Sequence, residues 1–278
     1  MRQPNLAMRA AQYVLLVAFL IFLAFPLLWM ISTSFKGPRE LVSLDPTLIP
    51  TSPTLDNYIS VLNGQDIVQA AANSLFVSVA TAVLTIAVAL PAAYALVRYK
   101  TPFRRPALAW ILVSQVFPLI LIVIPLFLIL KEIGLLNSHV GLIVVYVVWS
   151  LPFAMWMLQG YVSTLPRELE EAGLVDGAGR LRVLRSIVLP LLAPGIVAAT
   201  LFAFISAWSE FFFALVVLQD PGLATLPLLL ARFVGVEGIV RLGPLAAASL
   251  LATIPSLAFF ALIQRRLTEG LLAGGVKG

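Results

Sequence analysis

Cysteine is missing from all 278 residues, and histidine occurs once, at His139. The first absence excludes a disulfide frame and a thiolate metal site. The second leaves too few imidazoles for a His-rich zinc or di-metal centre. One histidine and no cysteine leave little from which to build a nucleophile–base pair or a metal set, so an intramembrane enzyme is the most distant alternative. Charge is scarce as well. Asp, Glu, Lys and Arg make up 11% of the chain against 61% hydrophobic residues, where a soluble domain carries roughly 25% charge. With a mean hydropathy of +1.03, too few polar side chains remain to cover a water-facing surface, and the natural solvent is lipid. No G-x-x-x-x-G-K-S/T phosphate loop occurs, so the chain lacks the usual means of gripping ATP. The alternating segments of about ten residues that build a membrane β-barrel are also missing, which points to an all-α polytopic membrane protein.

What is present is a series of six apolar runs, at about 13–31, 74–97, 107–130, 140–160, 187–217 and 245–263. Each is long enough for a bilayer core of about 30 Å, which takes roughly 20 helical residues. They are read as one transmembrane domain over 1–278. The first run follows Arg2 and Arg9 as a signal peptide would. Its apolar stretch exceeds the usual length of roughly 7–15 residues, and Ser32, Thr33 and Ser34 make no clean cleavage site, so a retained helix is expected.

The formal net charge is +5, which in another setting would suggest nucleic acid. Here the basic residues lie between apolar runs, so the partner is the membrane surface and no nucleic acid is expected. With the N-terminus inside, thirteen of the 18 Lys and Arg fall in cytoplasmic segments, among them Arg98, Arg104, Arg105, Arg180, Arg182 and Arg185. Only Lys36, Arg39, Lys131, Arg232 and Arg241 fall outside. This asymmetry places both termini in the cytoplasm of a cell with six crossings. Prolines 26, 91, 118, 125, 152, 190, 194 and 255 lie in or beside the runs, where each removes a backbone hydrogen bond and can kink a helix.

The inner segment at about 164–186 carries both signs of charge. Pro166 stands at a first helical position, with Glu168 and Glu170 in the first turn, where the helix dipole favours acids. Leu165, Leu169 and Ala172 make one apolar edge, Asp176 and Gly177 signal a turn, and a second short helix from about Arg180 puts Leu181, Leu184 and Val188 on one face. A short helix, a glycine turn and a second helix, pinned between two spans, could pass a partner's motion into the bilayer. An ordinary loop held at the headgroups by its basic residues fits the pattern as well.

Glu171, Ala172 and Gly173, then Asp176, Gly177 and Ala178, then Ile187, Leu189, Pro190 and Pro194 resemble the EAA motif of ABC-importer permeases. Gly173 stands where that family usually has alanine. Glycine costs about 1 kcal/mol inside a helix, so the end of the first short helix is expected to be loosened. The likeness runs along nearly the whole chain. Thr33 to Lys36, Asp56 to Tyr58, Asn73 to Leu75, Ala92 to Ala95, Trp208 to Phe211 and the tail from Gln264 to Gly278 are similar to the maltose-type sugar permeases, most of all their second, six-span subunit. Ser209 stands where asparagine is common.

The resemblance implies a coupling helix docked on an ATPase subunit, and a channel made with a homologous second permease. It also implies two ATP-binding-cassette subunits, which hold the ATP, and an extracytoplasmic sugar-binding protein. The cargo implied is a disaccharide or oligosaccharide, an α-glucoside such as maltose or trehalose. A polyol or glycerol phosphate is the alternative cargo, and a stand-alone secondary transporter the alternative mechanism. By resemblance, the tail residues Gly275, Val276 and Lys277 reach the ATPase, and the outer segment 219–243 enters or touches the sugar-binding protein; on its residues alone that segment reads equally as a re-entrant or lipid-surface loop.

Glu210 is the acid set deepest in an apolar run. An ionisable group at membrane depth marks a pathway or a partner, while at the interface it would serve as an anchor. No second intramembrane charge pairs with it, which argues against a proton relay. Gln115, Tyr146, Trp149, Ser150, Ser206 and Ser209 are the side chains that could meet a sugar through hydroxyl bonds and aromatic faces. His139 is expected to be exposed in a short outer loop.

Overall fold

The computed structural model describes residues 6–64, 66–99, 102, 104–116, 118–234 and 240–274. Apart from an isolated bridge between Val234 and Val240, the described residues form helices and their connections. In chain order these are α1 (Leu6–Ser34), α2 (Pro38–Leu41), α3 (Asp56–Gly64), α4 (Ile67–Arg98), α5 (Arg104–Val116), α6 (Leu119–Glu132) and α7 (His139–Thr164). They continue as α8 (Arg167–Val175), α9 (Arg180–Val183), a π-helical turn (Leu184–Val188), α10 (Leu189–Leu191), α11 (Ala193–Ser209) and α12 (Phe212–Val217). A 3-10 turn (Pro221–Leu223), α13 (Leu226–Ala231) and α14 (Leu242–Gly274) complete the order.

Among the described residues, Met8–Ser34, Ile67–Arg98, His139–Thr164 and Leu242–Ala261 are each long and apolar enough to cross a membrane. The helices differ from the boundaries expected at 107–130 and 187–217, and proline chemistry accounts for much of the difference. The third run is two helices with Pro118, in extended conformation, as the N-cap of α6; its missing N–H and its ring disfavour a continuous helix. The fifth run bends by 73° between Arg180–Leu191 and Ala193–Ser209. Pro190 and Pro194 both fall in the first turns of helices, where no donor is needed. Ile187, expected to begin a span, belongs to the π-helical turn. A second break follows at Glu210, whose ψ of 129 leaves the helical region.

The chain packs as two compact units, Met1–Val68 with Leu229–Ile254, and Gln69–Leu228 with Pro255–Gly278. In the first, two of the short motifs come together. Asn57 Nδ2 donates to Ser34 O at 2.9 Å and to Lys36 O at 2.8 Å, and Ser34 Oγ and Tyr58 OH share a hydrogen bond of 2.8 Å. The Lys36 side chain is buried. Its ammonium donates to Thr47 O and lies 4.8 Å from the Trp29 ring centroid, which satisfies a charge that burial would otherwise penalise. Gly243 is required beside Asn57, because a Cβ there would stand 2.4 Å from Asn57 Oδ1.

In the second unit, α4, α7 and α11 meet through small residues: Ala89 and Ala93 on α4, Ala154 on α7 and Ala199 on α11, with Leu158 closing the seam. Lipid is as apolar as leucine, so helices in a bilayer associate by close van der Waals contact, and small side chains permit it. Gly195 of α11 extends the same logic; a Cβ there would lie 2.5 Å from the Tyr161 ring.

Candidate functional site

The elbow between α7 and α11 is built from two helix ends and a turn. α7 stops where Leu165 turns to an extended ψ of 126. Pro166 is the N-cap of α8, one place before its expected helical position. Glu168 and Glu170 occupy the first turn, where their charge opposes the exposed N–H dipoles. α8 closes through two hydrogen bonds, Gly177 N to Leu174 O at 3.1 Å and Ala178 N to Gly173 O at 3.0 Å. This pair defines a Schellman ending, which needs a left-handed residue just past the helix. Gly177 supplies it with a φ of 82, where any other residue is strained by about 1–2 kcal/mol.

Gly173 does not loosen α8, which stays helical through Val175. Its missing Cβ lets α8 lie close on the following segment, since a Cβ would stand 2.7 Å from Ile187 Cδ1 and 3.2 Å from Val183 Cγ2. Beneath the elbow, Val97, Val162, Val183, Val188 and Leu192 form a buried cluster, with Tyr94, Leu165, Ala178, Leu184 and Ile187 packed against it. Leu165 therefore turns inward, whereas Leu169 and Ala172, expected on the same edge, are exposed. Val188 is buried and Leu184 half-buried, while Leu181 of the same expected face is 78% exposed. Glu171, Asp176 and Pro190 are exposed, and Leu189 is half-buried. Val175 is 86% exposed. One side of the elbow is anchored in the bundle, while Glu171 and the apolar tips Val175 and Leu181 are uncovered.

An ion pair ties the elbow to α4. Arg98 Nε donates to Glu170 Oε1 at 2.6 Å, with the two side chains 9% and 13% exposed. Tyr94 OH donates to Glu170 Oε2 at 2.7 Å, and Arg98 Nη2 donates to Leu165 O at 2.9 Å. Together with Tyr99, Arg167, Glu171 and Arg180, these residues line an open cavity of about 300 Å³. None of Tyr94, Arg98 and Glu170 was singled out as a site residue from sequence. Tyr94 lies in one of the family-like motifs, which was its only signal.

The residues expected along a pathway divide. Tyr146 is buried and donates to Glu210 Oε2 at 2.8 Å. The other contacts of the Glu210 carboxylate are backbone amides at the start of α12: Phe212 N at 2.7 Å, Phe213 N at 3.0 Å and Ala214 N at 3.3 Å. The carboxylate is thus an internal cap across a helix break. Trp149 is half-buried, edge-on to Phe213 with ring centroids 5.5 Å apart, on the wall of an apolar cavity of about 260 Å³. Ser150 is buried, Ser206 half-buried and Ser209 exposed. Gln115 lies on α5, and its side chain is outside the described set, as are Gly275, Val276 and Lys277.

At the opposite end of the second unit, side chains fasten the segment after α12. Asn73 Nδ2 donates to Gly222 O at 2.9 Å and Ala224 O at 3.0 Å, and Ser74 Oγ accepts from Leu226 N at 2.7 Å. Asn137, left-handed with φ 54, accepts from the amides of Gln219 and Asp220, both at 2.9 Å. His139, expected to be exposed, is half-buried, and its Nε2 donates to Leu223 O at 2.9 Å. Its hydrogen bond to this segment, rather than the short loop's exposure, decides its place.

Residues 85–271 match the model of the binding-protein-dependent transport system inner membrane component family. A protein of Streptomyces antibioticus described as an ABC transporter permease is 56% identical over 229 residues, which is 82% of this chain and all of the relative. The diacetylchitobiose uptake system permease protein DasC of Streptomyces coelicolor is 37% identical, over 94% of this chain and 95% of its own. The trehalose/maltose transport system permease protein MalG of Thermococcus litoralis is 35% identical, over 93% of each. In fold, the chain is similar to one in the crystal structure of a bacterial ABC transporter that imports the acidic polysaccharide alginate. The TM-score is 0.80 at 23% identity, covering 95% of this chain and 99% of that one. The family match, the near full-length relatives and the apolar helices together establish that this multi-pass membrane protein belongs to the binding-protein-dependent transport system inner membrane component family, the permeases of ABC transporters.

Proposed function

We propose that the chain is one of two permeases in an ATP-driven importer of a disaccharide or oligosaccharide, an α-glucoside such as maltose or trehalose. Its whole length works as a single transmembrane domain of six crossings, with both termini and the elbow in the cytoplasm. A homologous permease completes the channel, two ATP-binding-cassette subunits hold the ATP, and an extracytoplasmic binding protein delivers the sugar. The elbow is the port for the engine. Glu171, Ala172, Gly173, Asp176, Gly177 and Ala178 shape it, and Leu189 and Pro190 turn it into α11.

The observation that carries this reading is the two-sidedness of the elbow. Its inner side is fixed by the valine cluster and its outer side leaves Val175 and Leu181 uncovered, which is the form of a lever awaiting a groove. The names of the relatives favour sugar as cargo: one takes up diacetylchitobiose and another trehalose and maltose.

Reconstituted with its partner permease, ATPase and binding protein in liposomes, the chain is expected to take up radiolabelled maltose or trehalose only with ATP. Uptake by the chain alone would overturn the reading in favour of a stand-alone transporter. ATP-driven uptake of glycerol phosphate or a polyol in preference to any sugar would keep the mechanism and overturn the cargo.

A further inference from the structure

Helix α4 is held by side chains at both of its ends, and the two attachments are to different parts of the second unit. At its C-terminal end both carboxylate oxygens of Glu170 are taken by α4, one by Arg98 and one by Tyr94. In return, Arg167 of α8 donates to Val97 O in the last turn of α4 at 3.4 Å. At its N-terminal end Asn73 and Ser74 hold the backbone of Gly222, Ala224 and Leu226. At about 1.5 Å per residue, Asn73 and Arg98 stand roughly 38 Å apart along the helix, enough to cross the core of a bilayer.

The covalent routes out of α8 are poor conductors of force. On one side the chain leaves the helical region at Leu165 and Pro166, and on the other it turns at Gly177, with Gly179 in extended conformation. Neither connection continues the helical hydrogen bonding of α8; Leu165 and Ala178 pack on the valine cluster, and the ionic route runs through Glu170 to α4. Apolar contacts between membrane helices can slide, but an ion pair with two further directional hydrogen bonds fixes register. The two side chains are largely buried, on the wall of the open cavity, so loss of one would leave the other short of its partner.

We propose that α4 is the rod that carries motion between the elbow and the segment Pro221–Leu226, and that Glu170, through Arg98 and Tyr94, is the positioning residue that bolts the rod to the elbow. The proposal rests on the elbow being the ATPase port. It assigns Glu170 a task separate from docking: Glu171 and the apolar tips receive the engine, and Glu170 passes its movement on.

The chain has no cysteine, so a pair introduced as Arg98→Cys and Glu170→Cys is chemically unique within it. In the reconstituted importer, the reduced pair is expected to retain its ATPase subunits and to hydrolyse ATP within about twofold of the unmodified assembly. Sugar carried per ATP should fall by about tenfold, within the usual range of a coupling free energy. Bridging the pair with a short bifunctional thiol reagent should restore most of that ratio, which a merely structural role would not predict. If the reduced pair carries sugar at the unmodified ratio, or bridging restores nothing, the bolt is refuted. If the pair fails to assemble, Tyr94→Phe decides: a loss of about two- to fivefold in sugar per ATP is expected for one hydrogen bond, and an unchanged ratio refutes the proposal. An unmodified assembly in which ATP drives no uptake would sink the reading of function itself, so the two failures are distinguishable.

Discussion

Two glutamates stand beside breaks in the helical path of the second unit, and they are neutralised in opposite ways. Glu170 meets a cation and a phenol brought from α4, 72 and 76 positions away in sequence. Glu210 meets the phenol of Tyr146 and three backbone amides within four residues of itself. The difference follows from where each sits. Glu170 lies in the charged segment between two apolar runs, where an arginine can be supplied without being dragged into lipid. Glu210 lies inside an apolar run, where an added cation would carry its own desolvation cost. Helix-start amides deliver positive potential there without a second ion. A long-range ion pair can join two moving elements, while a local cap holds one bend in place.

That contrast can be tested by breaking each joint, in order of the expected effect on stability. Glu210→Ala strips the acceptor from several amides and from Tyr146 at once. Each group left unpaired costs about 1–3 kcal/mol, so the detergent-solubilised chain should unfold at a clearly lower temperature. Glu210→Gln, which keeps an acceptor, should recover most of the loss. Equal melting of the Ala variant and the parent would refute the cap. Arg98→Ala comes next, at about 1.5–3 kcal/mol for hydrogen bonds to a charged group. Adding Glu170→Ala to it should cost little more, because the second change removes an orphaned charge. Strict additivity in this double-mutant cycle would mean that the pair is not coupled.

Gly177→Leu has open space around the new Cβ, so its cost is the left-handed backbone alone, about 1–2 kcal/mol. It should uncouple transport while leaving the chain inserted, as read by membrane fractionation and uptake. Gly173→Ala should stay within about 1 kcal/mol of the parent, since better helix propensity offsets the displacement of the flexible end of Ile187; a larger loss in thermal unfolding would show that the approach to Val183 governs. Glu171→Lys should leave stability within about 0.5 kcal/mol, as an exposed site does, yet abolish ATP-driven uptake. Uptake at the parent rate would remove Glu171 from the docking surface.

The apolar runs were legible because lipid demands them, and Gly177 was legible because Asp followed by Gly marks the end of a helix. The all-α class and the ABC permease family could both be read from these features and from the elbow's motif. The breaks were harder to read. Apolar residues continue on both sides of Pro118 and of Glu210, so hydrophobicity gives no sign that the helix stops. The π-helical turn at Leu184–Val188 has no signature of its own beyond the proline that follows it. The fold pairs Glu170 with Arg98, 72 positions away, and turns Arg167, three residues before that acid, toward Val97. Asn57 with Ser34, Asn73 with Gly222 and Tyr146 with Glu210 are likewise joints between distant residues. Several of the short family-like motifs prove to be such joints, which chain order alone does not reveal.

The central claim is that the uncovered side of the elbow is gripped by an ATPase in the cytoplasm. A single Val175→Cys in the cysteine-free chain tests it most directly, with a membrane-impermeant maleimide applied to membrane vesicles of each orientation. The account predicts labelling only in inside-out vesicles, and loss of that labelling when the ATPase subunits are bound. Labelling from the outer face, or labelling that the ATPase leaves unchanged, would contradict it.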